Sequence, residues 1–130
     1  MLMNPLSIDV RNFICAEYRG EVVGFGQVRP IGVNYELASL YVAKSHRQRG
    51  IGSKLVQRLL EDFVSANGSQ KLNHLFLLTL EDTTRFYKKL GFVLVPPTDV
   101  PSMLQLELLI GSLVQSFFGR TVVCMQASAE

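Results

Sequence analysis

A short basic segment with two glycines, Arg47-Gln48-Arg49-Gly50-Ile51-Gly52, separates an apolar run ending at Val42 from an amphipathic one, and it leaves few folds open. In the second run Ile51, Leu55, Val56, Leu59, Leu60, Phe63 and Val64 follow the period of a helix with one apolar stripe. Lys54, Gln57, Arg58, Glu61 and Asp62 fill its other face. The glycines let the backbone approach a ligand closely, and the first-turn N–H groups of a helix have no partner inside it. They point outward where aligned peptide dipoles add roughly half a positive charge, worth about 0.3–1 kcal/mol to a nearby anion. A term that small cannot hold a ligand alone. Several amides and the side chains of Arg47 and Arg49 have to act together on a phosphate-rich molecule.

Two common phosphate loops are excluded by residue order. A P-loop places Ser or Thr after Gly-Lys, whereas this chain reads Gly52-Ser53-Lys54. A dinucleotide fingerprint needs a third glycine three residues after the second, and that position is Leu55. Downstream, an apolar strand candidate, Leu75 to Leu80, leads into Glu81-Asp82-Thr83-Thr84 and then Arg85-Phe86-Tyr87-Lys88-Lys89-Leu90-Gly91-Phe92. Asp82 suits a helix cap, Phe86 and Leu90 form an i,i+4 apolar pair, and Gly91 suits a left-handed stop.

The remaining pattern, Arg47-x-x-Gly50-x-Gly52 after a strand, resembles the acetyl-coenzyme A signature of the GNAT N-acetyltransferase superfamily. The Phe86-to-Phe92 run resembles the second motif of that family, in the right order and at the right distance. The resemblance covers roughly residues 13–92 and implies an α/β (α+β) fold, a GNAT-like mixed sheet with an N-terminal antiparallel meander and flanking helices. The strand pattern agrees. Phe13 to Tyr18 and Val22 to Val28 are β-rich runs joined around Arg19-Gly20, and Pro30 to Asn34 is expected to turn the chain into the strand carrying Glu36 to Val42. Family domains ordinarily open with a strand and one or two helices, lacking here ahead of Phe13. The chain is therefore expected to be either a truncated form of a longer protein or a compact member with an open acceptor side.

The length of 130 residues and 48% hydrophobic composition allow one domain with its own core, the coenzyme-binding part spanning about 36–92. A net charge of +2 with no dense basic run gives no reason to expect direct nucleic-acid binding. No apolar run is long enough to span a bilayer and no signal-peptide pattern follows Met1, so the expectation is a soluble intracellular protein. Cys15 and Cys124 have no metal-ligand spacing and read as buried apolar thiols; neither His46 nor His74 has an acidic or cysteine neighbour, so no metal site is expected. His46, beside the loop, is placed to touch the cofactor.

Acetyl transfer needs a positioned thioester, a neutral amine, stabilisation of an oxyanion and a proton for the departing thiolate. By resemblance, the backbone of Leu40, Tyr41 and Val42 pairs with the pantetheine arm where two parallel strands splay. The amides of Gln48, Arg49, Gly50, Ile51, Gly52 and Ser53 take the pyrophosphate, supported by Arg47 and Lys88. Tyr87 stands where many members carry a general acid toward the sulfur, its alternative being an aromatic packed on the sheet. Glu36, eleven residues before Arg47, stands where lysine-acetylating members carry a base, and Glu81 is the fallback. Leu80 departs from the family, which often has an asparagine there touching the pantetheine.

The implied reaction is acetyl transfer from acetyl-coenzyme A to a primary amine, whether protein lysine, N-terminus or small amine, by direct attack in a ternary complex. The alternative is a weakly active or inactive coenzyme-binding regulatory module. Beyond the motifs, Pro101 to Phe118 is expected to form a helix weakened at Gly111 and stopped at Gly119, burying Leu104, Leu108, Val114 and Phe118, followed by a strand Thr121 to Gln126. Its further apolar residues Leu109, Leu113 and Phe117 are candidates for a homodimer contact or a structural dimerisation role.

Overall fold

In the computed structural model, which describes residues 12–128, a six-stranded mixed sheet carries the helices on its two faces. Strands β1 (Phe13–Tyr18), β2 (Glu21–Ile31) and β3 (Asn34–Val42) form the antiparallel meander, with the first turn at Arg19-Gly20, where both residues have positive φ. Helix α1 (Ile51–Asn67) then crosses to β4 (Leu75–Leu80), which runs parallel to β3. Helix α2 (Thr84–Lys89), β5 (Phe92–Val95), α3 (Ser102–Ser116) and β6 (Val122–Ala127) complete the chain. The sheet order is β1-β2-β3-β4-β6-β5, so the last strand inserts between β4 and β5 and pairs antiparallel with both.

The sequence stripe of α1 is the face that packs. Val56, Leu59 and Phe63 are buried in one cluster with Leu37, Leu75, Leu77, Phe92 and Met125, and Leu55 is buried beside Gly24, while Lys54, Gln57, Arg58, Glu61 and Asp62 stay exposed. Gly24 of β2 permits the close approach: a Cβ there would lie 3.0 Å from both the Leu55 side chain and the Tyr41 carbonyl oxygen. On the opposite face Ile31, Phe76, Val100, Leu104 and Cys124 form a second, smaller cluster under α3.

Five local expectations are corrected. Pro30 does not turn the chain; it stays in β2 opposite Tyr35, and the turn comes at Gly32-Val33. β1 reaches only the Phe13–Gln27 rung, so proline sits beyond it, where an edge without an N–H costs no ladder bond. Asp82 is not the cap of α2: it lies in a 3-10 turn, Glu81–Thr83, closed by the Thr83 and Thr84 hydroxyls donating to the Leu80 and Glu81 carbonyls at 2.7 and 2.9 Å. α3 runs through Gly111 unbroken, because that position packs toward Val122 and tertiary contact outweighs the roughly 1 kcal/mol a helical glycine costs. Val114 and Phe118 are exposed. At 100° per residue Val114 points well away from Leu104 and Leu108, and Phe118 lies past the last turn. Cys15 is exposed on β1, whereas Cys124 is buried as expected, its thiol pushed up to about 12, first by burial and then by the charge of Glu36.

Candidate active site

The chain leaves β3 through a 3-10 turn, Lys44–His46, and reaches α1 over a loop with two left-handed residues, Gln48 at φ +65° and Gly50 at φ +78°. Gly50 caps α1 with no side-chain hydrogen bond, and the first amide to find a backbone acceptor is that of Lys54, bonded to the Gly50 carbonyl at 3.1 Å. Every N–H from Gln48 to Ser53 is therefore unpaired among the described residues, on a stretch that is exposed or half-buried. Arg47 is held at its margin: its Nε donates to the Val42 carbonyl at 2.9 Å, and its guanidinium lies 5.7 Å over the Tyr41 ring. His46 engages Ser45 at 2.9 Å, and its ring lies tilted 5.5 Å from that of Tyr18. Arg49 and Lys88 stand exposed with no ion pair among the described residues.

Beside this loop the sheet opens. β3 and β4 share only the rungs Tyr35–Leu75 and Glu36–Phe76; beyond them β3 continues to Val42 and β4 to Leu80 without pairing to each other. A bulge in β3 contributes to the divergence: Phe25 pairs with Tyr41 but Gln27 with Ala38, leaving Ser39 and Leu40 opposite Gly26. Ser39 adopts φ +58°, and its hydroxyl accepts from Gln27 Nε2 at 3.1 Å. Leu40, Tyr41 and Val42 thus lie past the last rung, their edge toward β4 free to meet an extended ligand. Val42 also adjoins the loop, since a Cβ on Gly52 would lie 3.7 Å from it.

Tyr87 and Glu36 approach this opening from different faces. Tyr87 packs with the α1 cluster, edge-on to Phe86 and Phe92, and burial pushes its phenol up to about 12. Its hydroxyl has no hydrogen bond to another described residue. Phe86 links α2 to the loop, lying 3.5 Å from where a Gly52 Cβ would stand. Glu36 is 5% exposed on the other face, on the last paired rung of β3. Its Oε1 accepts from Arg29 Nη2 at 2.7 Å and Nε at 3.1 Å, and Arg29 Nη2 also meets Glu107 of α3 at 3.0 Å. Burial raises the Glu36 carboxyl above its ordinary range, while the Arg29 contact pulls it back. Glu81, exposed just past the end of β4, is fixed by its backbone alone, its N–H donating to the Thr121 carbonyl and its carbonyl accepting from Thr84.

The loop and the β3 residues are adjacent, as their closeness in sequence suggests. The Arg29–Glu36–Glu107 group was not foreseen, because Glu107 lies 78 residues from Arg29. Nor was the Ser39 bulge, which no glycine marks; the one available signal is that Arg29 and Glu36 face each other across a hairpin. Among the described residues no three His, Cys, Asp or Glu side chains are grouped to hold a metal ion, and no helix is long and apolar enough to cross a membrane.

The acetyltransferase (GNAT) domain family matches residues 9–94 of this chain. An uncharacterized N-acetyltransferase of Chlorobaculum tepidum is 34% identical over 84 residues, 64% of this chain and 50% of its own, so the chain spans half the length of that relative. Among solved structures, a Mycobacterium tuberculosis protein in complex with CoA is 27% identical, with a TM-score of 0.66 over 88% of this chain and 75% of that one. The N-acetylglutamate synthase of Neisseria gonorrhoeae, complexed with coenzyme A and N-acetyl-glutamate, has a TM-score of 0.66 at 15% identity, covering 90% of this chain and 26% of that one. At that identity the likeness is one of fold.

Proposed function

The chain belongs to the GNAT acetyltransferase family, whose acetyl donor is acetyl-coenzyme A, and we propose that it transfers the acetyl group to a primary amine by direct attack in a ternary complex. The observation that carries this reading is the run of unpaired amides from Gln48 to Ser53 beside the opening between β3 and β4. The amides and Arg47 take the pyrophosphate, and the free edge at Leu40, Tyr41 and Val42 pairs with the pantetheine arm, directing the thioester into the gap. One of those strand amides polarises the acetyl carbonyl as negative charge develops on its oxygen. Leu80 brings no polar side chain to the opposite edge.

The amine nitrogen bonds to the carbonyl carbon, and collapse of the tetrahedral intermediate breaks the carbon–sulfur bond. A lysine amine with pKa near 10.4 is neutral about once in 2,500 molecules at pH 7, a penalty of roughly 4.6 kcal/mol, so a base is needed to collect the proton. Glu36 fills that role from the face opposite Tyr87, with Arg29 holding one carboxylate oxygen. An α-amine near pKa 8 is penalised by only about 1.4 kcal/mol and can release its proton to water. Tyr87 donates toward the sulfur. An ordinary thiol titrates near 8.5, so complete transfer from a phenol near 12 runs uphill by roughly 5 kcal/mol. Its main contribution is therefore a hydrogen bond that strengthens as thiolate charge appears.

The test is calorimetric titration with acetyl-coenzyme A followed by coenzyme release with a panel of amines. Micromolar binding that disappears in an Arg47→Glu, Gly50→Glu double variant supports the phosphate loop. Unchanged binding in that variant would remove it, and coenzyme binding without turnover on any amine would reduce the protein to a binding module.

A further inference from the structure

Among the described residues, helix α3 buries one side and leaves a second apolar side uncovered. Leu104 is fully buried and Leu108 half-buried against the sheet. Away from that stripe, Met103, Leu106, Ile110, Leu113 and Phe117 recur at intervals of three and four, the 3.5-residue repeat of a helix-pairing seam. They are 59%, 64%, 53%, 59% and 87% exposed, and Leu109 and Val114 flank them at 56% and 50%. With Phe118 at the end, these exposures amount to roughly 1,000 Å² of largely apolar surface. Monomeric proteins rarely expose patches beyond a few hundred Å², and a standard interface takes about 800 Å² from each partner.

We propose that a second copy of this chain covers the seam, α3 packing antiparallel on α3 about a two-fold axis at Ile110. The area is that of a stable dimer, and the spacing is self-complementary as such an axis requires. Met103 and Phe117 lie seven residues to either side of Ile110, so each meets the other's counterpart, and Leu106, four residues before the axis, falls within one residue, about 1.5 Å along the helix, of the counterpart of Leu113. The seam carries no charge. The one charged side chain of α3, Glu107, is engaged by Arg29 at 3.0 Å, so two copies meet without like-charge repulsion. An acidic or basic partner would find nothing on this face to pair with. Antiparallel helix dipoles also oppose favourably. The assignment does not depend on acetyl transfer, and its readout is mass.

Sedimentation velocity of the full chain at micromolar concentration is expected to give twice its 14.5 kDa mass. An Ile110→Glu, Leu113→Glu variant is expected to run at the single-chain mass with an unchanged far-ultraviolet spectrum, since both side chains are exposed in the protomer. A wild-type protein that stays at the single-chain mass at tens of micromolar, forms only open-ended aggregates, or dimerises as well in the variant would overturn the proposal. Orientation is tested in a Cys15→Ser background with a short bis-maleimide. Ile110→Cys is expected to cross-link between copies, whereas Met103→Cys is not, because antiparallel pairing separates those positions by about 20 Å along the helix. Cross-linking through Met103→Cys would overturn the antiparallel arrangement.

Discussion

Tyr87 lies 9% exposed between Phe86 and Phe92 with its phenol near 12, so it carries its proton throughout the physiological range. Tyr87→Phe keeps the ring packing and is expected to leave coenzyme affinity and melting temperature almost unchanged while lowering kcat by about 10²-fold or more. Stopped-turnover assays beside calorimetry separate the two effects; an equal loss of affinity would make Tyr87 a packing residue. For Glu36 the sign follows from burial, which raises its carboxyl above the ordinary 4.5. The native state binds that proton more tightly than the unfolded chain. Its stabilising contribution is full below the unfolded pKa and is lost as pH rises through the raised one. In the role proposed for Glu36 the carboxylate is the active form, so turnover of a lysine-like amine is expected to fall on the acid side at a pH above 4.5. Glu36→Gln is expected to lower kcat and abolish that limb; an acid limb surviving in the variant would assign it to another group.

At the scale of elements, the position of α1 against the meander decides where the free amides point. Gly24→Ala places a Cβ 3.0 Å from the Tyr41 carbonyl, and backbone cannot yield as a side-chain terminus can. A loss of about 1–3 kcal/mol in chemical denaturation is expected, with weaker coenzyme binding because the start of α1 is pushed outward. Gly50→Ala meets no neighbouring atom but must adopt φ +78°, so its expected cost is only about 1 kcal/mol. Equal penalties at the two sites would contradict the close packing of α1 on β2. Helix α1 was legible because one stripe, one basic loop and one glycine pair coincide within a single element. In α3 the apolar residues lie nearly all round, so periodicity did not separate the side facing Cys124 and Ile31 from the side facing outward.

Across the whole molecule, a ligand held by the loop and the sheet opening stabilises every element that packs between them. At acetyl-coenzyme A concentrations near 100 times Kd, linkage adds about 2.7 kcal/mol, which for a chain of this size raises Tm by roughly 10 °C. The shift is expected to vanish in the Arg47→Glu, Gly50→Glu variant; an undiminished shift would locate the coenzyme elsewhere. Patterns confined to one element were readable directly: the strand limits of β1 and β4, the α1 stripe, the glycine-bearing entry to α1 and the helix and turn of the Phe86-to-Phe92 run all depend on residues within a few turns of each other. Their physics is local, set by backbone periodicity and by glycine at left-handed positions. Three features needed the assembled sheet. β6 enters between β4 and β5, β3 parts from β4 after the Glu36–Phe76 rung and bulges at Ser39, and Glu107 crosses 78 residues to share Arg29 with Glu36. Each depends on which distant surfaces meet once the core closes. Apolar composition drives that closure without specifying its partners, so the surroundings of the Glu36 carboxylate, the opening between β3 and β4 and the exposed side of α3 were decided only by tertiary packing.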